Sequence, residues 1–141
     1  MVMWVLAILG VVPFLIGGVG VLSGHRVPVV DLDLLAMTLS YGAVIAAFMS
    51  GVQWGAVVYR SVRPGVVIVV LSNVLTLLAW GAVLVLPVVY GLWLQAAVFL
   101  AILSIDGWLY QQGVITAGYW RLRLCVTSVV VLCLLGLIGW I

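Results

Sequence analysis

Eight residues of this chain carry formal charge: Arg26, Asp31, Asp33, Arg60, Arg63, Asp106, Arg121 and Arg123. They fall in the gaps between long apolar runs. An average soluble domain has roughly a quarter of its residues charged, whereas this one has 6%, against 68% hydrophobic. Its mean hydropathy is +1.50. A water-facing surface built from such a chain would be Val and Leu almost everywhere, so the bilayer must be the solvent. A spanning helix takes about 20 apolar residues, and 141 residues accommodate five of them with short loops and no soluble domain.

The runs place these helices at about 2–22, 34–59, 66–86, 91–110 and 120–141, forming one all-α domain over 1–141. The chain is thus expected to be a polytopic membrane helical bundle. Asp31 or Asp33 suits the N-cap of the second helix, because a carboxylate accepts from the free N–H groups there. Pro64 and Gly65 break the chain after it. The first run has no Lys or Arg ahead of it, unlike a signal peptide, and reads as a retained helix. Five crossings put Arg60, Arg63, Arg121 and Arg123 on one side and Arg26 on the other. The richer side faces the cytoplasm, so the N-terminus is expected inside and the C-terminus in the periplasm of a bacterial inner membrane. Trp4, Trp54, Tyr59, Trp108, Tyr110, Tyr119 and Trp120 collect at the inner interface, as aromatic belts do.

Several groups invite a functional reading. Ala43, Ala47, Gly51 and Gly55 repeat every four residues, a small-residue stripe that lets another helix approach closely. It is read as packing within the chain or between copies, with the second helix as the central element and Gly51→Leu expected to disrupt fold or assembly. Tyr41, Ser50, Gln53, Trp54, Ser72, Asn73 and Thr76, with Gln95, are polar groups at membrane depth. They either bond between helices or line a polar cavity, and Gln53 and Asn73 form the preferred pair. Asp106 faces Arg121 and Arg123 across a short loop. A carboxylate near hydrocarbon needs a partner, so an ion pair with one of these arginines is expected. The alternative is a lipid head-group site made by Arg60, Arg63, Arg121 and Arg123.

Other chemistry is excluded or unsupported. The net charge of +2 is too small and dispersed for nucleic acid. His25 is the only histidine, so neither a bis-histidine haem nor a zinc site assembles from one chain. Cys125 and Cys133 lie about 12 Å apart along a helix, too far for a disulfide. No phosphate-binding loop, dinucleotide fingerprint or nucleophile elbow occurs. No cofactor is expected beyond a bound lipid or quinone.

Tyr41 to Gly55 (YGAVIAAFMSGVQWG) and Trp120 to Thr127 (WRLRLCVT) resemble the second-helix and last-helix signatures of a small membrane family of unknown function. That family includes mitochondrial transmembrane protein 69. The resemblance covers nearly the whole chain and implies about five helices, a membrane location and an acid late in the fourth helix, matched by Asp106. The chain departs from the pattern at Gln53, where a basic residue or His often stands, and after Ser72, where a Pro often follows. The family's bacterial and mitochondrial distribution implies an accessory role beside other membrane proteins, including respiratory complexes. Three functions therefore stand. The first is a non-enzymatic structural or accessory protein, whose partners are membrane lipids and other membrane proteins or further copies of itself. The second is an oligomeric transporter or channel lined by helix-two and helix-three polar residues. The third is a lipid- or quinone-binding membrane protein.

Overall fold

The computed structural model describes residues 2–22, 33–60 and 63–141. Its five helices are α1 (Val2–Leu22), α2 (Leu34–Arg60), α3 (Gly65–Leu84), α4 (Val88–Gln111) and α5 (Ala117–Trp140). Helices α2 to α5 are long and apolar enough to cross a membrane, and α1 is apolar over its described stretch Trp4–Gly20. The chain is a helical membrane bundle. His25, Arg26 and Asp31 lie outside the described residues.

Local chemistry sets the helix ends. Asp33 caps α2, its Oδ1 accepting from the Leu35 and Ala36 amides at 3.0 and 3.2 Å, which satisfies two N–H groups that have no partner in the helix. Helix α4 is stopped one residue past its C-cap Gln112 by Gly113, whose φ of 70° a side chain would resist. The Val114 amide bonds the Leu109 carbonyl and the Gly113 amide bonds that of Tyr110, the paired closure of a Schellman turn. Thr116 then caps α5 by accepting from the Tyr119 amide at 3.3 Å. The expected polar loop from Gln111 to Tyr119 is therefore shorter, and α5 begins three residues before Trp120. The α3–α4 connection is also tighter than expected, with α4 starting at Val88 rather than Gly91. Not every charge falls in a gap between apolar runs. Asp106 and Arg123 sit inside helices α4 and α5, not in the gaps between apolar runs.

The second helix was expected to be central, but α4 is the more enclosed. Nine of its 24 residues are buried, against seven of 27 in α2. Helix α4 packs on α2, α3 and α5, while α1 bridges α2 and α5 on the other side. The core runs through Phe14, Leu39, Ala46, Leu92, Phe99, Ile102, Leu134 and Leu137. Phe14 meets Tyr41 and Phe99 edge-on, with ring centroids 5.2 and 6.0 Å away, an arrangement favoured by ring quadrupoles.

Two buried glutamines bolt α2 to α4 in opposite directions. Gln95 of α4 donates to the Leu39 carbonyl of α2 at 2.6 Å. Gln53 of α2 donates to the Ile102 carbonyl of α4 at 3.0 Å. In hydrocarbon no water competes for these groups. Gln95 fits because Gly42 opposite it has no side chain: a Cβ there would collide with the Gln95 amide oxygen. Helix α1 docks through another such notch, where Gly17 faces the Thr38 hydroxyl. Pro13 lies inside α1 and lacks an amide hydrogen. One turn earlier, the Gly10 carbonyl accepts from the Tyr41 hydroxyl at 2.9 Å.

Candidate functional site: a buried ion pair beside an apolar groove

Asp106 is the sixth residue from the end of α4 and Arg123 the seventh from the start of α5. At about 1.5 Å per residue, each lies roughly 8–9 Å in from its helix end. A 24-residue helix spans about 36 Å and the hydrocarbon about 30 Å, so a centred bundle holds both groups inside the apolar slab. Both are buried, at 3% and 4% exposure. Charges at that depth are stable only in company.

Their company is specific. Arg123 Nε donates to Asp106 Oδ2 at 2.6 Å. Asp106 Oδ1 accepts from Gln53 Nε2 at 3.0 Å, so the amide that reaches the α4 backbone also holds the carboxylate. Arg123 Nη1 contacts the sulfur of Met49 on α2, a weak acceptor. Nη2 is buried and has no hydrogen-bond partner among the described residues. Three helices thus meet at one guanidinium, with part of its donor capacity unused. The hairpin that presents the pair is clamped beneath it: Tyr110 stacks on Trp120 at 5.8 Å, and the Trp120 ring lies against Gly107.

Arg123 also lines a groove. Helices α2 and α5 keep their backbones apart, and α1 spans the gap. Between the three lies a space of about 350 Å³. Leu6, Ala7, Gly10 and Phe14 of α1 form one wall and Ile45, Phe48, Met49 and Val52 of α2 another. Leu122, Val126 and Val130 of α5 complete it, with Tyr119 one turn before Arg123. The side chains are apolar apart from Arg123, Tyr119 and the Met49 thioether. Leu6 and Phe48 remain largely exposed, at 62% and 64%, so the groove communicates with the bilayer.

The other candidate residues are placed differently. Arg60, Arg63 and Arg121 are exposed near the helix ends shared with Arg123, and none of them joins it. The polar set does not line one cavity. Tyr41 is committed to Gly10, and Trp54 and Asn73 are exposed. Ser72 donates to the Val69 carbonyl, Asn73 to that same carbonyl and Thr76 to that of Ser72, each within its own helix. Short side chains reach back one turn, which removes the need for an interhelical partner. Gln53 and Asn73 therefore do not pair. Ser50 is buried with its hydroxyl unpartnered among the described residues. The small-residue stripe also faces elsewhere than expected. Ala43 and Gly55 are half-buried, Ala47 and Gly51 are exposed, and a Cβ on Gly51 or Gly55 would meet open space. Ala43 packs against the core, while the Gly51 and Gly55 end of the stripe leaves open space beside it. Glycines that do pack closely, among them Gly17, Gly42, Gly91 and Gly107, fall outside the stripe. Sequence reasoning gave Met49 and Gly42 no individual role, although both lie within the Tyr41–Gly55 stretch, and placed Tyr119 only in the aromatic belt.

Comparison with protein families decides the chain's kinship. A family described as a protein of unknown function, DUF3429, matches residues 1–139. The chain belongs to the DUF3429 family. No curated protein and no solved structure matches it significantly. In this DUF3429 protein, Tyr41 to Gly55 contributes Met49 and Gln53 to the ion-pair site, and Trp120 to Thr127 contributes Arg123. The two sequence signatures therefore meet in space at the Asp106 carboxylate and its surroundings.

Proposed function

We propose that this protein binds a lipophilic amphiphile, a lipid or a quinone, in the groove between α1, α2 and α5. The observation that carries this reading is the unused Nη2 donor of a buried arginine on the wall of an otherwise apolar space. Apolar cavities with a few convergent polar groups are the usual form of small-molecule sites, and about 300–1,000 Å³ is their usual size. The ligand's head would meet Arg123, and its tail would leave past Leu6 and Phe48 into the bilayer. The site has no nucleophile beside a base, so binding rather than catalysis is the activity proposed. In this proposal the arginine-bearing helix ends face the cytoplasm across a bacterial inner membrane, a reading supported by the bias of Arg60, Arg63, Arg121 and Arg123 to that side.

The test is retention of ligand through purification in mild detergent, read by native mass spectrometry. Wild-type protein is expected to carry a stoichiometric amphiphile. Ala7→Phe fills the groove from α1 without touching the ion pair and should lower occupancy at least tenfold. Val44→Phe, on an exposed position outside the groove, should leave it unchanged. Equal occupancy in all three proteins, or none in wild type, contradicts the reading.

A second reading, an accessory protein packing against another membrane protein, draws on the outer surface of α2 and α3. Gly51 has open space beside it, and Asn73 presents an amide to the bilayer at the middle of α3. Small and polar residues at membrane depth favour helix association. Co-purification of a larger membrane complex that Asn73→Leu releases would support it. The transporter reading has less support, because Tyr41, Gln53, Ser72, Asn73 and Thr76 are each committed to a hydrogen bond within their own helix or to another element.

A further inference from the structure

We infer that the head group received by Arg123 is uncharged and carries a carbonyl acceptor, as a prenylated quinone or a neutral glyceride does, and is not a phosphate or a carboxylate. The inference rests on the groove being a binding site and specifies its ligand.

Charge balance is the main reason. An arginine facing an apolar space ordinarily suggests an anion, but the Arg123 charge is already matched. Its Nε holds Asp106 Oδ2 at 2.6 Å, and the other carboxylate oxygen is taken by Gln53. Among the described residues no second cation lines the groove, and Arg60, Arg63 and Arg121 are exposed elsewhere on the bundle. An anionic head on Nη2 would therefore leave two negative charges around one guanidinium, out of water, where like charges repel most strongly. What the pair still lacks is an acceptor, not a charge. Among the described residues Nη2 has no hydrogen-bond partner and Nη1 has only a thioether. A neutral carbonyl oxygen supplies lone pairs for these N–H groups and leaves the pair's net charge at zero.

Size agrees. A space of about 350 Å³ sits at the lower end of small-molecule sites. It has room for one ring or ester and the start of a single chain, with the remainder in lipid. The groove walls are aliphatic and aromatic, suited to a ring face or an acyl stem.

The experiment compares four single-chain probes of matched tail length with purified protein in nanodiscs: decyl-benzoquinone, monodecanoylglycerol, decanoic acid and decyl phosphate. Binding is read as the difference between wild type and the groove-filled Ala7→Phe, which removes non-specific partitioning. One or both neutral carbonyl probes should bind at least tenfold more tightly than decyl phosphate and decanoate at pH 8, with little change between 50 and 500 mM salt. Preference for the quinone or for the glyceride identifies the source of the carbonyl, and either supports the inference. Tighter or equal binding of decyl phosphate or decanoate overturns the head-group inference and leaves groove binding standing. Loss of every groove-dependent signal overturns the proposed function itself. The double variant Asp106→Leu with Arg123→Met removes the pair without leaving an orphaned charge and is expected to abolish the preference for carbonyl heads. If that variant does not fold, the four-probe ranking on wild type still decides the matter.

Discussion

Asp106→Asn is expected to destabilise the bundle by about 3–5 kcal/mol, the usual effect of removing one member of a buried ion pair. The neutral amide leaves the Arg123 guanidinium charged at membrane depth and puts an NH2 donor in place of the Oδ2 acceptor it faced, while the remaining amide oxygen can still accept from Gln53. The measurement is equilibrium unfolding in mixed detergent micelles. The double replacement Asp106→Leu with Arg123→Met should recover most of the loss, because the desolvation cost of both charges disappears together. Exchanging the charges, Asp106→Arg with Arg123→Asp, should recover part of it. A fully stable Asp106→Asn protein, or a double variant no better than the single, would show that the pair does not hold α4 to α5.

Gly42→Leu should be comparably damaging, by about 3 kcal/mol or more, through overpacking of a fitted core and loss of a buried hydrogen bond. Its new side chain would occupy the volume of the Gln95 amide and displace the bond from Gln95 to the Leu39 carbonyl. Gln95 is fully buried, so it has nowhere to retreat. Gly51→Leu, nine residues along the same helix, is the control. A Cβ there meets nothing, and replacing a helical Gly relieves up to about 1 kcal/mol of unfavourable propensity. It is expected to be neutral or slightly stabilising to the monomer fold. The same unfolding assay checks both, and equal losses at the two positions would contradict the packing described for α2.

This contrast marks where the sequence is legible. The number, order and approximate limits of the helices follow from long apolar runs punctuated by Pro, Gly and charge, and the Asp33 cap follows from carboxylate chemistry. Asp106 stood out because an acid near hydrocarbon needs a partner, and the choice of Arg123 over Arg121 is a matter of which α5 face turns inward. That facing is poorly encoded. In water an apolar stripe marks the buried side of a helix, but in a membrane the outside is apolar too. The spacing of Ala43, Ala47, Gly51 and Gly55 therefore says that one side is small, not that it is inside. Asn73 and Thr76 could be read as gluing helices, yet such side chains bond their own preceding turn. The longer Gln53 and Gln95 cross to the neighbouring helix. The groove was not legible at all, because it arises from α2 and α5 standing apart, a property of the assembled bundle rather than of any segment.

Gln53, Asp106 and Arg123 share a depth only if the ends of α2 and α4 and the start of α5 lie at one face of the bilayer. Single thiols test this directly in a background carrying Cys125→Ser and Cys133→Ser, labelled with a membrane-impermeant maleimide in sealed oriented vesicles. Tyr59→Cys and Gln112→Cys are expected to react from the same side, and Leu86→Cys from the opposite one. Reaction of Tyr59→Cys and Gln112→Cys from opposite sides would contradict the bundle, the ion pair and the groove together.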